Sequence, residues 1–228
     1  MVTNSTSACP PFPDLQCVIF DLDGTLVRTN ELIYASFNHL MERHLGRTMK
    51  PAEIVALFGP PEEGAIEKVF GPERTPALLQ ELLAFYAAQH STLADLHEGI
   101  ADVLRFLKDR TIKIALFTGK GKWTTDITLR AFGLEQYFDL IVTGNDVEHH
   151  KPHPEGILQA LERFGLQPSQ ALMVGDSVSD AKAAHAAGVR IASVLWDAID
   201  PEHVRAVNAS CTFDSVAAFD AWIRAQSG

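Results

Sequence analysis

The feature that most constrains the fold is a regular alternation of short apolar runs with longer stretches of helical periodicity. The runs that resemble strands are Cys17–Phe20, Ile112–Thr118, Leu140–Thr143, Ala171–Gly175, Arg190–Val194 and, more weakly, Cys211–Phe213. The helical patterns lie at Asp102–Lys108, Lys122–Phe132, Pro154–Phe164, Ser179–Ala187, Pro201–Val207 and Ser215–Arg224. Because several strands are apolar throughout, helices are expected on both faces of the sheet. The alternation predicts an α/β fold with a doubly wound parallel sheet.

One segment, from about residue 28 to residue 95, breaks this alternation because its pattern is helical only. Two apolar stripes with helical spacing flank residues 58–64, where glycine and proline predict a loop. We therefore expect a catalytic core of residues 15–27 and 96–228, with a small helical cap of residues 28–95 inserted after the first strand. Residues 1–14 are rich in Pro, Ser, Thr and Asn and predict a disordered lead-in.

Composition excludes some partners. The formal net charge of −10 disfavours nucleic acid or an acidic membrane, but it permits a small phosphorylated metabolite held by local cations. No apolar run is long enough to span a bilayer, and the N-terminal residues lack the features of a secretory signal. The three cysteines Cys9, Cys17 and Cys211 have no metal-like spacing, and Cys17 is expected in the core. A cytoplasmic protein, either monomer or homodimer, is the expectation.

The first candidate site is Asp21-Leu-Asp23-Gly-Thr, directly after the first strand. Extended backbone turns residues i and i+2 to the same side, so both carboxylates can face one point at the carboxyl end of the strand. Ligands bind at that end in open α/β sheets. Two such carboxylates repel unless a cation or a proton lies between them. A polar turn is the structural alternative, because Asp-Gly is a common turn dipeptide.

Three further candidates follow other strands. Thr118-Gly119-Lys120 offers a hydroxyl and an accessible amide for a phosphate, although an ordinary strand-to-helix turn has the same pattern. Lys151 lies between histidines in a proline-rich loop, where His149, His150 and His153 are interpreted as solvated residues rather than metal ligands. Gly-Asp176-Ser-Val-Ser-Asp180 follows the strand Ala171–Gly175, and Ser177 with Asp180 is also typical of a capping box.

The chain contains, in this order, Asp-x-Asp-Gly-Thr, Thr118, Lys151-Pro and Gly-Asp176-x-x-x-Asp180. As a set, these motifs resemble those of the haloacid dehalogenase superfamily of phosphohydrolases. The resemblance extends from about residue 17 to residue 222. It implies a Rossmann-like core with a helical cap that closes over the site. The opening Asp21-Leu-Asp-Gly-Thr-Leu-Val-Arg-Thr-Asn-Glu is similar to the phosphoglycolate phosphatase and pyrophosphatase branch.

This resemblance implies roles for the candidate residues. Asp21 would be the nucleophile that forms an aspartyl-phosphate, and Asp23 would protonate the leaving oxygen and later activate water. Mg²⁺ would be bound by the Asp21 carboxylate, the Asp23 carbonyl and Asp176. The phosphoryl oxygens would be bound by Thr118, Gly119 and Lys151, and Asp180 would orient Lys151 or a metal-bound water.

Two further places bear on the comparison with the family, namely the loop of the cap and the residue after Thr118. Residues 59–63, beginning with Gly59, resemble the specificity loop of the cap. Glu62 and Glu63 would begin the next helix, or else bind substrate hydroxyls. Many relatives have Asn where this chain has Gly119, so Lys120 is a candidate to replace part of the function of that amide.

The pattern leaves three functions open. The first is a Mg²⁺-dependent phosphatase acting on a small monoester similar to phosphoglycolate, a sugar phosphate or pyrophosphate. A phosphomutase similar to β-phosphoglucomutase would share the nucleophile, the acid and the cap. A non-catalytic binding protein on the same fold would be expected to lack Asp21, Asp23, Lys151 or Asp176, yet all four are present.

Overall fold

The centre of the molecule is a six-stranded parallel sheet with the strand order β5-β4-β1-β6-β7-β8. The computed structural model describes residues 9–208 and 211–226. The strands of this sheet are β1 (Cys17–Phe20), β4 (Lys113–Phe117), β5 (Leu140–Val142), β6 (Ala171–Gly175), β7 (Arg190–Val194) and β8 (Thr212–Phe213). Helices cover both faces of the sheet, so the predicted α/β fold with a doubly wound parallel sheet is confirmed.

Strand β1 shows why the apolar runs had to be buried on both faces. Val18 and Phe20 belong to one apolar cluster, whereas Cys17 and Ile19 belong to a second cluster on the opposite face. The helices of the first face are α5 (Ile100–Asp109), α6 (Lys122–Phe132) and α10 (Val216–Ala225). The second face carries α7 (Glu155–Phe164) and α8 (Val178–Ala186), and α9 (Pro201–Val207) lies beside α8.

The residues between the first strand and α5 form a helical cap with a core of its own. Its helices are α1 (Asn30–Leu45), α2 (Pro51–Val55), α3 (Glu62–Phe70) and α4 (Thr75–Leu93). Phe37, Leu40, Ile66 and Leu82 are among the buried residues that pack together there. Because α3 begins at Glu62, the predicted loop is shorter than residues 58–64.

Two short strands that the sequence did not reveal join the core and the cap. Strand β2 (Val27–Arg28) pairs antiparallel with β3 (Asp95–Leu96). Each contains only two residues, which is too short for a periodic signal. The ribbon therefore ties together the two places where the chain enters and leaves the cap. The residue limits of core and cap, 28 and 95, stay a prediction.

The predicted disorder of residues 1–14 is wrong from Cys9 to Phe12, while residues 1–8 lie outside the described residues. Cys9 and Phe12 are buried, and Cys9 forms a disulfide with Cys211. The Phe12 amide donates a hydrogen bond to Gln226 Oε1 at 2.7 Å, and the Arg190 guanidinium lies over the Phe12 ring. Composition missed this anchor because two well-packed residues are enough to fix a short polar segment.

Among residues 9–208 and 211–226, no helix is both long enough and apolar enough to cross a membrane.

The disulfide gives a stability prediction. It joins two positions separated by 202 residues, so it strongly restricts the unfolded chain. We expect Cys9→Ala to lower the free energy of unfolding by about 2–4 kcal/mol in non-reducing urea titrations. Adding a reductant should lower the stability of the natural chain by a similar amount and leave the variant unchanged. Equal stability of the natural chain with and without reductant would contradict the prediction.

Candidate active site

A cavity of about 200 Å³ opens at the carboxyl edge of the sheet, between the core and the cap. The core side of its wall carries the residues that follow β1, β4 and β6, together with the loop before α7. Those that the sequence singled out are Asp21, Asp23, Thr118, Gly119, Lys120, Lys151, Asp176 and Asp180. Gly59 lies on the cap side of the same cavity. The structure therefore brings all of the sequence-predicted site residues to one place.

Lys151 is at the centre of the charged groups. Its Nζ atom donates to Asp21 Oδ1 at 2.9 Å and to Asp180 Oδ1 at 2.6 Å, and it lies over the Phe117 ring. Burial alone would lower the pKa of Lys151, but the Asp180 and Asp21 carboxylates raise it above its usual range. Lys151 is therefore a fixed cation at neutral pH.

Asp180 has a second function in the local backbone. Its Oδ2 atom accepts hydrogen bonds from the amide and the hydroxyl of Ser177, and the Ser177 hydroxyl accepts from the Asp180 amide. This is the capping box that the sequence suggested, at the start of α8. One carboxylate thus fixes the helix start and orients Lys151.

Asp176 packs against the backbone of the first motif. Thr25 Oγ1 donates to Asp176 Oδ1 at 3.0 Å. Gly24 has a φ of +77°, and a Cβ atom there would lie 2.3 Å from Asp176 Oδ2. Both the left-handed backbone and the close contact require glycine at this position. The glycine therefore permits β1 and β6 to bring their carboxylates together.

Burial and mutual repulsion make the carboxylates of the site costly to ionise together. Burial raises the pKa of Asp21 to about 7, against the lowering effect of Lys151, and the Asp180 carboxylate raises it further. Burial and the Asp21 and Asp180 carboxylates also raise the pKa of Asp176 well above its usual range. A cation between these groups would relieve the cost of ionising them.

These acidic groups could hold a metal ion. Ligand atoms from Asp21, Asp176 and Asp180 lie within 4.8 Å of one another, and all three residues belong to a buried cluster. Oxygen ligands of this kind suit hard divalent cations. The set overlaps with the predicted one in Asp21 and Asp176. It differs at Asp180, which the sequence placed in a supporting position, and at Asp23, for which only the backbone carbonyl was predicted to bind.

Asp23 is held by groups from two parts of the chain. Its carboxylate accepts hydrogen bonds from Thr29 Oγ1 and from Lys120 Nζ, the latter at 3.2 and 3.3 Å. Lys120 Nζ also lies 4.8 Å from the centre of the Tyr86 ring of the cap. Burial would lower the pKa of Lys120, but Asp23 and Tyr86 raise it above its usual range. Lys120 therefore links the cap to the second carboxylate of the motif.

The turn after β4 offers phosphate ligands. Thr118 is buried, and its hydroxyl oxygen accepts the Lys120 amide at 3.2 Å, which leaves the hydroxyl proton able to donate. Gly119 contributes backbone to the same wall, and Gly59 of the cap lies close to it. The hydroxyl and the backbone that the sequence offers for a phosphate therefore line the cavity.

Glu62 joins the cap to the core. It begins α3, as preferred from the sequence, but it does more than start a helix. Its carboxylate accepts hydrogen bonds from the Gly121 amide at 2.8 Å and from Thr124 Oγ1 at 2.6 Å. Gly121 and Thr124 lie at the start of α6, where a negative charge is favoured. The contact fixes the cap loop over the cavity.

Sequence reasoning missed several of these partners. Thr29 contacts Asp23 only because the chain turns back after the first motif, and no local pattern announces that turn. Tyr86 lies on an apolar helical face of the sequence, yet its hydroxyl group hydrogen-bonds to Thr128 of α6 at 2.9 Å. The signal available in the sequence was a polar end on an otherwise apolar helix face.

Comparison with known proteins assigns the family. Residues 18–194 match the family model described as haloacid dehalogenase-like hydrolase. The chain belongs to this family and is a hydrolase of the phosphatase class. Pyrophosphatase PpaX of Bacillus pumilus is 38% identical over 182 residues, which cover 80% of this chain and 84% of that relative.

Two solved structures agree in fold. A crystal structure of a predicted phosphoglycolate phosphatase from Haemophilus somnus has a TM-score of 0.80 at 22% identity, and the match covers 90% of this chain and 96% of that one. CbbY from Rhodobacter sphaeroides, in complex with phosphate, has a TM-score of 0.76 at 25% identity, with 88% and 94% covered. They support the same core and helical cap.

The raised pKa of Asp21 predicts an unusual stability change in the presence of a chelator. The folded state holds a proton on Asp21 between about pH 4 and 7 that the unfolded state has lost, so stability falls as the pH rises through this window. Near pH 8, Asp21→Asn should therefore raise the free energy of unfolding, by at most about 4 kcal/mol for a pKa of about 7 against the usual 3.8. The gain should shrink towards pH 4 in urea titrations. Exposed Asp109→Asn is the control; an Asp21→Asn variant that is less stable at every pH would refute the prediction.

The Glu62 contact predicts an effect on substrate binding. Hydrogen bonds to a charged group contribute about 1.5–3 kcal/mol, so Glu62→Ala should loosen the closed cap. We expect KM for a phosphate substrate to rise about tenfold, and the unfolding midpoint to fall by a few degrees because the folded state loses both hydrogen bonds. Exposed Glu67→Ala, on the same helix, should leave KM unchanged. Equal KM values for the two variants would exclude a closing role for Glu62.

Proposed function

We propose that this chain is a Mg²⁺-dependent phosphatase that transfers the phosphoryl group of a small substrate to Asp21 and then to water. The observation that carries the proposal is the position of Lys151 Nζ, which contacts Asp21 at 2.9 Å inside a cavity that also contains Asp176. A cation beside a carboxylate in a closed site is what an anionic phosphoryl group requires.

The donor set supports Mg²⁺ as the cofactor. Asp21 and Asp176 supply carboxylate oxygens, and their pKa values are raised first by burial and then by the neighbouring carboxylates. Mg²⁺ would be held by these two carboxylates and by the Asp23 carbonyl, as the family resemblance implies. When bound, the ion would offset the negative charge of the phosphoryl oxygens.

Asp21 is proposed as the nucleophile. Its carboxylate oxygen forms a bond to phosphorus while the bond from phosphorus to the leaving oxygen breaks, which produces an aspartyl-phosphate. In the second half-reaction a water oxygen bonds to phosphorus, and the bond to Asp21 breaks with release of phosphate. Lys151 stays beside the reacting oxygens in both steps, held there by Asp180.

Asp23 is proposed as the acid and base. It gives a proton to the leaving oxygen in the first step and takes one from the attacking water in the second. Asp23 is therefore protonated again at the end of one turnover. Thr29 and Lys120 fix the direction of its carboxylate. Lys120 thereby takes over part of the function of the Asn that many relatives carry in place of Gly119.

We propose that the phosphoryl oxygens accept hydrogen bonds from the Thr118 hydroxyl, the Gly119 amide and Lys151. The opposite wall comes from the cap, where Ile33, Phe37, Leu57 and Phe58 give the cavity an apolar lining around Gly59. With a volume of about 200 Å³, the cavity suits a small leaving group. Small monoesters such as phosphoglycolate or a sugar phosphate, and pyrophosphate, form the proposed substrate class.

The test is phosphate release from a panel of small phosphorylated compounds, including pyrophosphate, phosphoglycolate and β-glucose 1-phosphate. We expect release from one or a few members, loss of release with a chelator and recovery with Mg²⁺. Full activity of the metal-free enzyme would refute the metal site. Conversion of β-glucose 1-phosphate to its 6-phosphate without phosphate release would show that the enzyme is a phosphomutase and not a hydrolase.

Removing the nucleophile gives the sharpest prediction. Asp21→Asn keeps the shape of the side chain but cannot form the acyl phosphate, so turnover should fall by about 10⁴-fold or more. Acid-quenched natural enzyme should carry phosphate on residue 21, and the variant should carry none. Asp109→Asn, an exposed change of the same kind, should retain full activity. An Asp21→Asn variant with a tenth of the natural rate would disprove the assignment.

A further inference from the structure

A second group of metal-ligand side chains lies on the outside of the loop that carries Lys151. His149 precedes Lys151 by two residues, His153 follows it by two, and Glu155 begins α7. Ligand atoms from His149, His153 and Glu155 all lie within 4.8 Å of one another. The sequence alone suggested solvated histidines, because these positions lack helical spacing. The folded loop nevertheless brings them together with a carboxylate.

The two imidazoles converge on the same oxygen atom. His149 Nδ1 lies 3.0 Å from Glu155 Oε2, and His153 Nδ1 lies 4.0 Å from it. The two rings face each other, with centres 4.6 Å apart and planes at 33°. Both Nδ1 atoms therefore lie within 4.0 Å of one carboxylate oxygen.

The carboxylate is held in place before any ion arrives. Glu155 Oε1 accepts the Glu148 amide at 2.9 Å, and Oε2 accepts the His149 amide at 3.0 Å. The hydrogen bond from the Glu148 amide is the largest cause that lowers the pKa of Glu155. Pro152 and Pro154 restrict φ within the loop. An anionic oxygen and two neighbouring imidazoles are thus presented with little further ordering.

The spacing is close to that of a bound ion. Zinc binds imidazole nitrogen and carboxylate oxygen at about 2.0–2.2 Å, which places tetrahedral ligand atoms roughly 3.4 Å apart. The Nδ1 atoms of His149 and His153 lie 3.0 and 4.0 Å from Glu155 Oε2, so both distances are within about 1 Å of that spacing. The His153 side chain is 49% exposed, so it can rotate freely, and water can fill the remaining positions.

We propose that His149, His153 and Glu155 form a binding site for one divalent ion of the zinc, nickel or copper type. Imidazole nitrogen suits these ions, whereas the oxygen-only cluster of Asp21 and Asp176 suits Mg²⁺. The two sites therefore differ in chemistry as well as in position. Because Lys151 lies between the two histidines, an ion bound to both of them would restrict the backbone on either side of Lys151.

The experiment uses the full chain, freed of metal by a chelator and then kept in excess Mg²⁺ to fill the oxygen site. Titration with Cu²⁺ should show one bound equivalent, with nitrogen hyperfine splitting from imidazole in the electron paramagnetic resonance spectrum. Zn²⁺ should displace it. With Zn²⁺, the amides of residues 149–151 and of His153 should exchange with solvent at least about tenfold more slowly.

The variants test which residues bind. His149→Ala/His153→Ala should remove the nitrogen splitting and weaken Cu²⁺ binding at least about a hundredfold, and Glu155→Gln should weaken it about tenfold. Exposed His203→Ala, which removes a different His–carboxylate pair, should bind as the natural chain does. Circular dichroism establishes that each variant is folded.

Three results would overturn the proposal. The first is the absence of a saturable equivalent of Cu²⁺ in excess Mg²⁺. The second is a folded double variant that keeps its affinity and nitrogen splitting. The third is loss of the signal in His44→Ala instead, because His44 contacts Glu81 in the cap and offers another imidazole and carboxylate. None of these results depends on phosphatase activity, so the site can fail while the proposed function stands.

Discussion

The geometry of the site depends most on the position of Lys151 between the carboxylates of Asp21 and Asp180. The carboxylates of Asp21 after β1, Asp176 after β6 and Asp180 on α8 converge in a largely buried space, and such a concentration of like charge is tolerated only beside a cation. Asp180 also caps α8, so the helix start, the lysine and the nucleophile candidate are fixed together. Gly24 provides the space in which the two strand ends can approach.

A second coupling connects the cap to the chemistry. Lys120 lies between Asp23 and the Tyr86 ring, and Glu62 reaches from α3 to the start of α6. The cap therefore contacts the candidate acid and covers the cavity through separate polar links. Because Lys120 and Thr124 are buried, each link is made where water competes poorly for the hydrogen bonds. Closing the cap and orienting Asp23 are parts of the same arrangement.

The loop around Lys151 serves two environments at once. Its lysine points inward to oxygen ligands that suit Mg²⁺, while His149, His153 and Glu155 lie together on the outside. The difference in ligand chemistry separates the two sets, since imidazole and carboxylate oxygen favour different ions. A short segment that contains two prolines can present both sets because its backbone has few alternatives.

The sequence by itself determined the parallel sheet, the helical insertion and the residues that reach the cavity, because strand periodicity and motif order are local properties. Tertiary structure alone decided the partners: Thr29 and Lys120 on Asp23, Glu62 on Gly121, and Cys9 with Cys211. These contacts join residues distant in the chain or across a turn that no periodic pattern marks. The gathering of His149, His153 and Glu155 likewise depends on loop geometry, because irregular backbone has no repeat from which side-chain directions follow.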